Sequence, residues 1–240
     1  MKIKVSCIQT NSFISPIENI NHVSNLIKKA IKQKSDLICL PECVGIFTDN
    51  KKKLNNFCKN DNIFLNFIKE LSKKYKVHFI IGSLPFIKLN KKFLNRSLVI
   101  NNKGEVIAEY DKINLFDVKL NSKEKYLESK LYDPGKKIKV VSLPWGKLGL
   151  SICYDIRFPD LYKKLAKNGA DFLSIPAAFT KTTGKAHWHS LIRSRAIENG
   201  CFVFAPAQCG VHQNKRETFG HSMIVDPWGQ ILAEAKNKPT

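Results

Sequence analysis

The chain has 240 residues, 43% hydrophobic and 25% charged, and its 40 lysines and arginines against 20 acidic side chains give a formal charge of +20. That length suits one α/β domain with a large core, and no run approaches the roughly 18 continuous apolar residues of a membrane span, so no membrane association is expected. The charge is not read as a nucleic-acid footprint. Its only arginines are Arg96, Arg157, Arg193, Arg195 and Arg216, and arginine is the side chain that grips phosphates and base edges in bidentate fashion.

Apolar runs alternate with amphipathic stretches from end to end. Strands are expected over 3–9, 36–41, 77–83, 96–101, 105–110, 138–142, 147–153, 171–175, 201–206 and 221–226. The first helix opens at Ser15-Pro16-Ile17-Glu18, a capping-box pattern with proline at the first helical position, and carries Ile20, Val23, Leu26, Ile27 and Ile31 on one face. Further helices are expected over 61–75, over 159–168 up to Gly169, and over 184–199 up to Gly200, a left-handed cap position. The lysines fall on helix faces and in loops, Lys51 to Lys53 among the latter. Strand, helix, strand repeats of this kind make sheets covered by helices.

The seven cysteines (Cys7, Cys39, Cys43, Cys58, Cys153, Cys201, Cys209) are scattered, and no two form a C-x-x-C pair. Neither a disulfide framework nor a zinc site is expected, and a reducing cytoplasm is the simplest setting. The opening MKIKVSCIQT runs straight into a strand pattern without the apolar core of a signal peptide.

Cys153 stands where the apolar end of a strand, Gly149 to Ile152, meets the polar start of a helix at Pro159. Such an elbow exposes a side chain beside free backbone N–H groups, a good place for a nucleophile; a small buried hydrophobe is the other reading. Glu42 closes the buried strand Asp36-Leu-Ile-Cys-Leu-Pro41. Desolvation there is expected to raise its pKa toward the range of a general base, unless it simply turns into solvent. Lys112, after Val106 to Asp111, and Glu128, in a loop, say little alone. His187 and His189 lie two apart and point to different helix faces, so they are not a metal pair.

Together the segments are specific. LPE at 40–42, YDKINLFD at 110–117, YLESKLYDPG at 126–135 and GLSICYDIRFPDLY at 149–162 resemble the nitrilase, or carbon–nitrogen hydrolase, superfamily. The resemblance continues through 169–210 and GHSMIVDPWGQILAEA at 220–235, essentially the whole chain as one domain, residues 1–240. It implies an α/β fold, the four-layer α-β-β-α sandwich, and a catalytic triad of Glu42, Lys112 and Cys153 that needs no cofactor or metal. Glu128 resembles the family's second glutamate, which positions the lysine and the substrate. Lys112 and the Tyr154 backbone N–H would hold the oxyanion. The family's glutamate base argues against His221, in Gly220-His221-Ser222, as a catalytic histidine.

AHWHSLIRSRAIENG, PAQCGVHQNKRETFGHS and VDPWG are most similar to the deaminated glutathione amidase branch. The implied reaction is hydrolysis of a glutamine-like 2-oxo amide to the 2-oxo acid and ammonia; with deaminated glutathione the products are 2-oxoglutarate and cysteinylglycine, a metabolite repair. Omega-amidase action on 2-oxoglutaramate or 2-oxosuccinamate, and N-carbamoyl amino acid hydrolysis, are the alternatives; a non-catalytic protein that kept the fold is the different-class alternative, disfavoured because every triad position is filled. An anionic small-molecule substrate calls for cations at the pocket mouth: Arg157 and Arg216 or Lys215, with Phe179 and Thr180 lining the acyl pocket. The family's association implies a homodimer or larger even assembly. The 184–199 helix, with Trp188, Leu191 and Ile192 beside Arg193 and Arg195, is the expected interface, with packing inside the subunit as the alternative. Relatives usually continue beyond the final Lys236 to Thr240, so either the sequence is truncated there or a short or missing C-terminal strand is expected.

Overall fold

All ten expected strands and all four expected helices form in a computed structural model that describes residues 2–59, 62–88, 92–120, 122 and 124–240. β1 (Val5–Cys7) leads into α1 (Pro16–Lys32), whose first turn is capped by Ser15 Oγ accepting from the Glu18 N–H at 3.3 Å. The chain returns through β2 (Leu37–Leu40), α2 (Lys51–Lys59), α3 (Ile63–Tyr75), β3 (His78–Ile87), β4 (Phe93–Ile100) and β5 (Val106–Asp111). These five strands make one sheet in chain order, parallel from β1 to β3 and antiparallel from β3 to β5.

After the small ribbon of β6 (Asp117–Lys119) and β7 (Lys125–Leu127) the plan repeats. β8 (Val140–Leu143), β9 (Gly146–Leu150), α4 (Pro159–Lys167), β10 (Phe172–Ser174), α5 (Lys181–Asn199) and β11 (Phe202–Ala205) follow one another. A second ribbon, β12 (Cys209–Val211) with β13 (Glu217–Phe219), precedes β14 (Met223–Val225) and β15 (Ile231–Glu234). The second sheet runs β15-β14-β11-β10-β9-β8, with β9, β10 and β11 parallel.

Side chains alternate across a strand, and β2 shows how that builds layers. Ile38 and Leu40 pack with Val23 and Ile27 of α1 and Phe64 and Ile68 of α3. Leu37 and Cys39 face the opposite way, into one cluster with Leu148, Leu150 and Leu173 of the second sheet. That cluster continues to Leu161 and Leu165 of α4 and to Trp188 and Ile192 of α5. Helix, sheet, sheet, helix is the four-layer α-β-β-α sandwich expected from the motifs. Each large aliphatic side chain so buried stabilises the fold by about 1.5–3 kcal/mol.

The departures are local. Residues 51–53 are not loop but the first turn of α2, because Leu54 and Phe57 reach the core from one helical face. The expected start of α3, residue 61, lies outside the described residues. α5 begins at Lys181, earlier than expected, because Thr180 caps it by accepting from the Thr183 N–H at 3.3 Å; Gly200 ends it at φ +63°. Trp188 and Ile192 are fully buried within the subunit, so neither serves as an interface residue and the packing alternative holds for both. The last residues lie along Gln9, whose backbone exchanges hydrogen bonds with Thr240 at 2.9 and 3.0 Å.

Candidate active site

Glu42 follows β2, Lys112 follows β5 and Cys153 follows β9, all at one rim of the sandwich, where ligands of open α/β sheets bind. Gly82 permits the close approach of the two sheets there: a Cβ on it would stand 2.2 Å from the Leu40 carbonyl and 2.4 Å from Pro176. Cys153 sits in the left-handed backbone region, φ +50°, and donates its N–H to the Pro176 carbonyl at 2.9 Å. Residues held in such conformations cluster at functional sites.

The Lys112 ammonium donates to Glu42 Oε1 at 2.9 Å and to Glu128 Oε2 at 2.8 Å. Asn95 Nδ2 binds both carboxylates as well, Glu42 Oε1 at 2.9 Å and Glu128 Oε1 at 3.0 Å. Backbone N–H groups complete the set: Ala178 donates to Glu42 Oε2 at 2.8 Å, and Phe116 to Glu128 Oε2 at 2.7 Å. Glu42, Lys112 and Cys153 are all buried, at 4%, 2% and 5% exposure.

The charges of this cluster settle its resting protonation. Burial alone would raise the Glu42 carboxyl, as the sequence led one to expect. The charge and hydrogen bond of Lys112, with help from Cys153 and Arg216, outweigh it and bring Glu42 below the usual carboxylate value. This corrects the expectation of a raised pKa: a buried carboxylate beside an ammonium is an ion pair. Burial would lower Lys112, but Glu128 and Glu42 hold it well above the ordinary lysine value. Burial, and then the Glu42 charge, push the Cys153 thiol well up against the opposing pull of Lys112. The resting site is therefore carboxylate, ammonium and neutral thiol. The acid limb of kcat/KM is expected below the usual carboxylate range, where Glu42 finally takes a proton; an acid limb above that range, in a pH–rate profile, would contradict this assignment.

Above the cluster opens a cavity of about 400 Å³. Glu42, Lys112, Glu128, Cys153, Tyr154, Phe179, Thr180 and Arg216 all line it, as does Lys215. Arg216 donates to the Ala178 carbonyl at 2.7 Å, and its guanidinium lies 5.5 Å from the Phe47 ring centre and 5.0 Å from that of Tyr126. Its Nε is buried without a partner. Arg157 departs from expectation. It does not line the cavity; its guanidinium lies against the rings of Tyr154 and Phe179 at 5.9 and 5.3 Å, with His187 Nδ1 at 3.2 Å.

The carbon–nitrogen hydrolase profile matches residues 4–240 of this chain. The chain belongs to the carbon–nitrogen hydrolase family. It is 40% identical over 238 residues to the deaminated glutathione amidase of Synechocystis sp. (strain PCC 6803), covering 98% of this chain and 88% of that protein. The Dictyostelium discoideum deaminated glutathione amidase is 40% identical over 227 residues, 90% of this chain and 77% of that protein. Among solved structures, the Caenorhabditis elegans NitFhit protein superposes with a TM-score of 0.92 at 38% identity, covering 98% of this chain. The chain spans 58% of that solved chain and 51% of the full fusion protein. Saccharomyces cerevisiae Nit3, a member of branch 10 of the nitrilase superfamily, gives a TM-score of 0.88 at 31% identity over 99% of this chain and 87% of its own. A member of this family is a hydrolase of carbon–nitrogen bonds other than peptide bonds.

Besides the lining aromatics Phe47 and Tyr126, two polar residues that organise this carbon–nitrogen hydrolase's site escaped the sequence reading. Asn95 lies in β4 within Asn95-Arg96-Ser97, a polar stretch that interrupts a strand, and buried polar side chains of that kind are there for their partners. Asp155, fully buried, accepts from the Tyr110 hydroxyl at 2.7 Å, from the Ile152 N–H at 2.9 Å and from both nitrogens of Asn114 at 2.8 and 2.9 Å. It thereby ties the Cys153 elbow to the segment after Lys112. Its place two residues after the nucleophile was the available signal.

Proposed function

We propose that this hydrolase is a thiol-dependent amidase whose substrate is deaminated glutathione. The observation that carries the reading is the buried thiol, carboxylate and ammonium of Cys153, Glu42 and Lys112 at the base of a cavity that also contains the unpartnered Nε of Arg216. The names of the two deaminated glutathione amidases support the substrate.

The chemistry runs in two halves. Glu42 takes the Cys153 proton as sulfur bonds to the amide carbon, and the electron pair of the C=O bond moves to oxygen. The Lys112 ammonium faces that oxygen together with the Tyr154 N–H, which lies in the first turn after the elbow, where N–H groups have no helical acceptor. Each such donor is worth about 3–4 kcal/mol in the transition state. As the C–N bond breaks, Glu42 returns the proton to the departing nitrogen. The leaving amine is cysteinylglycine from deaminated glutathione and ammonia from 2-oxoglutaramate; both leave the same acyl thioester. Glu42 then deprotonates a water that attacks the thioester, releasing 2-oxoglutarate and restoring the thiol. Arg216 binds the carboxylate of the 2-oxo acid end.

Release of 2-oxoglutarate, common to both substrates, is the measurement to make, with Cys153→Ala as control. Preference for deaminated glutathione is the expected result; preference for 2-oxoglutaramate would make the protein an omega-amidase. Arg216→Gln is expected to raise KM about tenfold or more with a smaller change in kcat, as loss of a hydrogen bond to a charged group of about 1.5–3 kcal/mol implies. An unchanged KM would remove Arg216 from the binding site. The proposal extends to a cytoplasmic, homodimeric repair enzyme. Its seven free cysteines support the first, and exposed apolar side chains such as Trp228, at 89%, support the second.

A further inference from the structure

We propose that His189, His221 and Glu234 form a binding site for a divalent transition-metal ion of the zinc type, outside the catalytic cavity. The fold brings together what the sequence kept apart: His189 comes from α5, His221 from the turn between β13 and β14, and Glu234 from the end of β15. His189 Nε2 lies 2.8 Å from Glu234 Oε1, and His221 Nδ1 lies 2.7 Å from the same oxygen. All three ligand atoms fall within 4.8 Å of one another.

The placement is built rather than incidental. His221 is held in the left-handed region at φ +57°, its N–H donates to the Lys236 carbonyl at 3.0 Å, and its carbonyl accepts from Trp188 Nε1 at 2.8 Å. Its ring stacks on Phe219 with 4.3 Å between centres. Such strain at a non-glycine residue persists only where its surroundings impose it. The three side chains are 26–38% exposed, which leaves a water-accessible fourth position.

Zinc binds imidazole nitrogen and carboxylate oxygen at about 2.0–2.2 Å, which puts tetrahedral ligand atoms roughly 3.4 Å apart. The two nitrogens need therefore move from the shared oxygen by about 0.6–0.7 Å, within reach of side-chain rotation at partly exposed positions. Each neutral imidazole would carry its proton on the far ring nitrogen once the near one binds metal; a protonated imidazole would release a proton. Two nitrogens and one carboxylate suit zinc, cobalt, nickel or copper, whereas magnesium and calcium take oxygen ligands. A bound ion would fasten β15 to α5.

The test is a titration of metal-free, untagged Cys153→Ala protein, which removes the catalytic thiol as a competitor, with zinc by calorimetry and cobalt(II) by visible absorption. One equivalent is expected, with cobalt d–d bands lacking thiolate charge transfer and a Tm that climbs with free zinc. His189→Ala and Glu234→Gln, both at partly exposed positions, are each expected to weaken binding at least tenfold and to abolish the zinc-dependent Tm shift. Absence of saturable binding, thiolate bands, or binding that survives both variants would overturn the site and leave a hydrogen-bonded histidine–glutamate cluster.

Discussion

Glu42→Gln is expected to lower kcat/KM about a thousandfold, within the roughly hundred- to ten-thousandfold that a positioned acid–base group supplies. The amide has the shape of the carboxylate but cannot accept the thiol proton or activate the deacylating water, so both halves of the reaction slow. The variant should still fold. Its amide oxygen can stay with Lys112 and Asn95, and the amide nitrogen then faces the Ala178 N–H, which loses its acceptor. One buried N–H left unpaired costs about 1–3 kcal/mol. A second readout separates the base from a mere tuning charge. After burial, the Glu42 charge is the main influence raising the Cys153 thiol, with Lys112 opposing it. Removing that charge should move the onset of Cys153 alkylation to lower pH while turnover falls. Turnover within tenfold of wild type would end the general-base assignment.

The same cluster shows what the chain declares in sequence and what it does not. Strands such as 36–41 and 77–83 were legible because they are apolar on both faces, a demand that only a strand between two packed layers makes. Glu42 and Cys153 stood out because each follows a buried strand, whereas Lys112, after the half-exposed β5, was legible only through the resemblance of its motif. The ribbons β6–β7 and β12–β13 were not, since pairs of three-residue strands leave no periodicity to detect. Nor was α2, whose Lys51 to Lys53 read as a loop until Leu54 and Phe57 were seen to meet the core. Arg157 was misplaced because nearness in sequence to the nucleophile says nothing of side-chain direction; it turned against two aromatic rings. The pKa of Glu42 went astray for a related reason. Burial can be read from one strand, but the compensating cation arrives from a different one.

Lys112→Met extends that point to stability. The methionine fills much of the lysine's volume, so the defect is electrostatic: Glu42 and Glu128 stay close together, bridged by Asn95, with no cation between them. Removing one member of a buried ion pair costs about 3–5 kcal/mol, and turnover should vanish with the oxyanion donor. In wild type, Glu42 lies below its usual value, so its contribution is present above the unfolded pKa and is lost as pH falls through the folded one. Lys112 lies above its usual value, so its contribution persists below the unfolded pKa and is lost only as pH rises through the folded one. Taking the ammonium away removes the main force opposing burial, leaves only the weaker pull of Cys153 and Arg216, and is expected to raise Glu42 above its unfolded value, which reverses its sign. The variant is then penalised at neutral pH and relieved in acid, where a carboxyl takes up a proton. Its Tm deficit against wild type should shrink from neutral to mildly acidic buffer; a deficit that is constant or grows in acid would show that packing, not paired charge, is what Lys112 contributes.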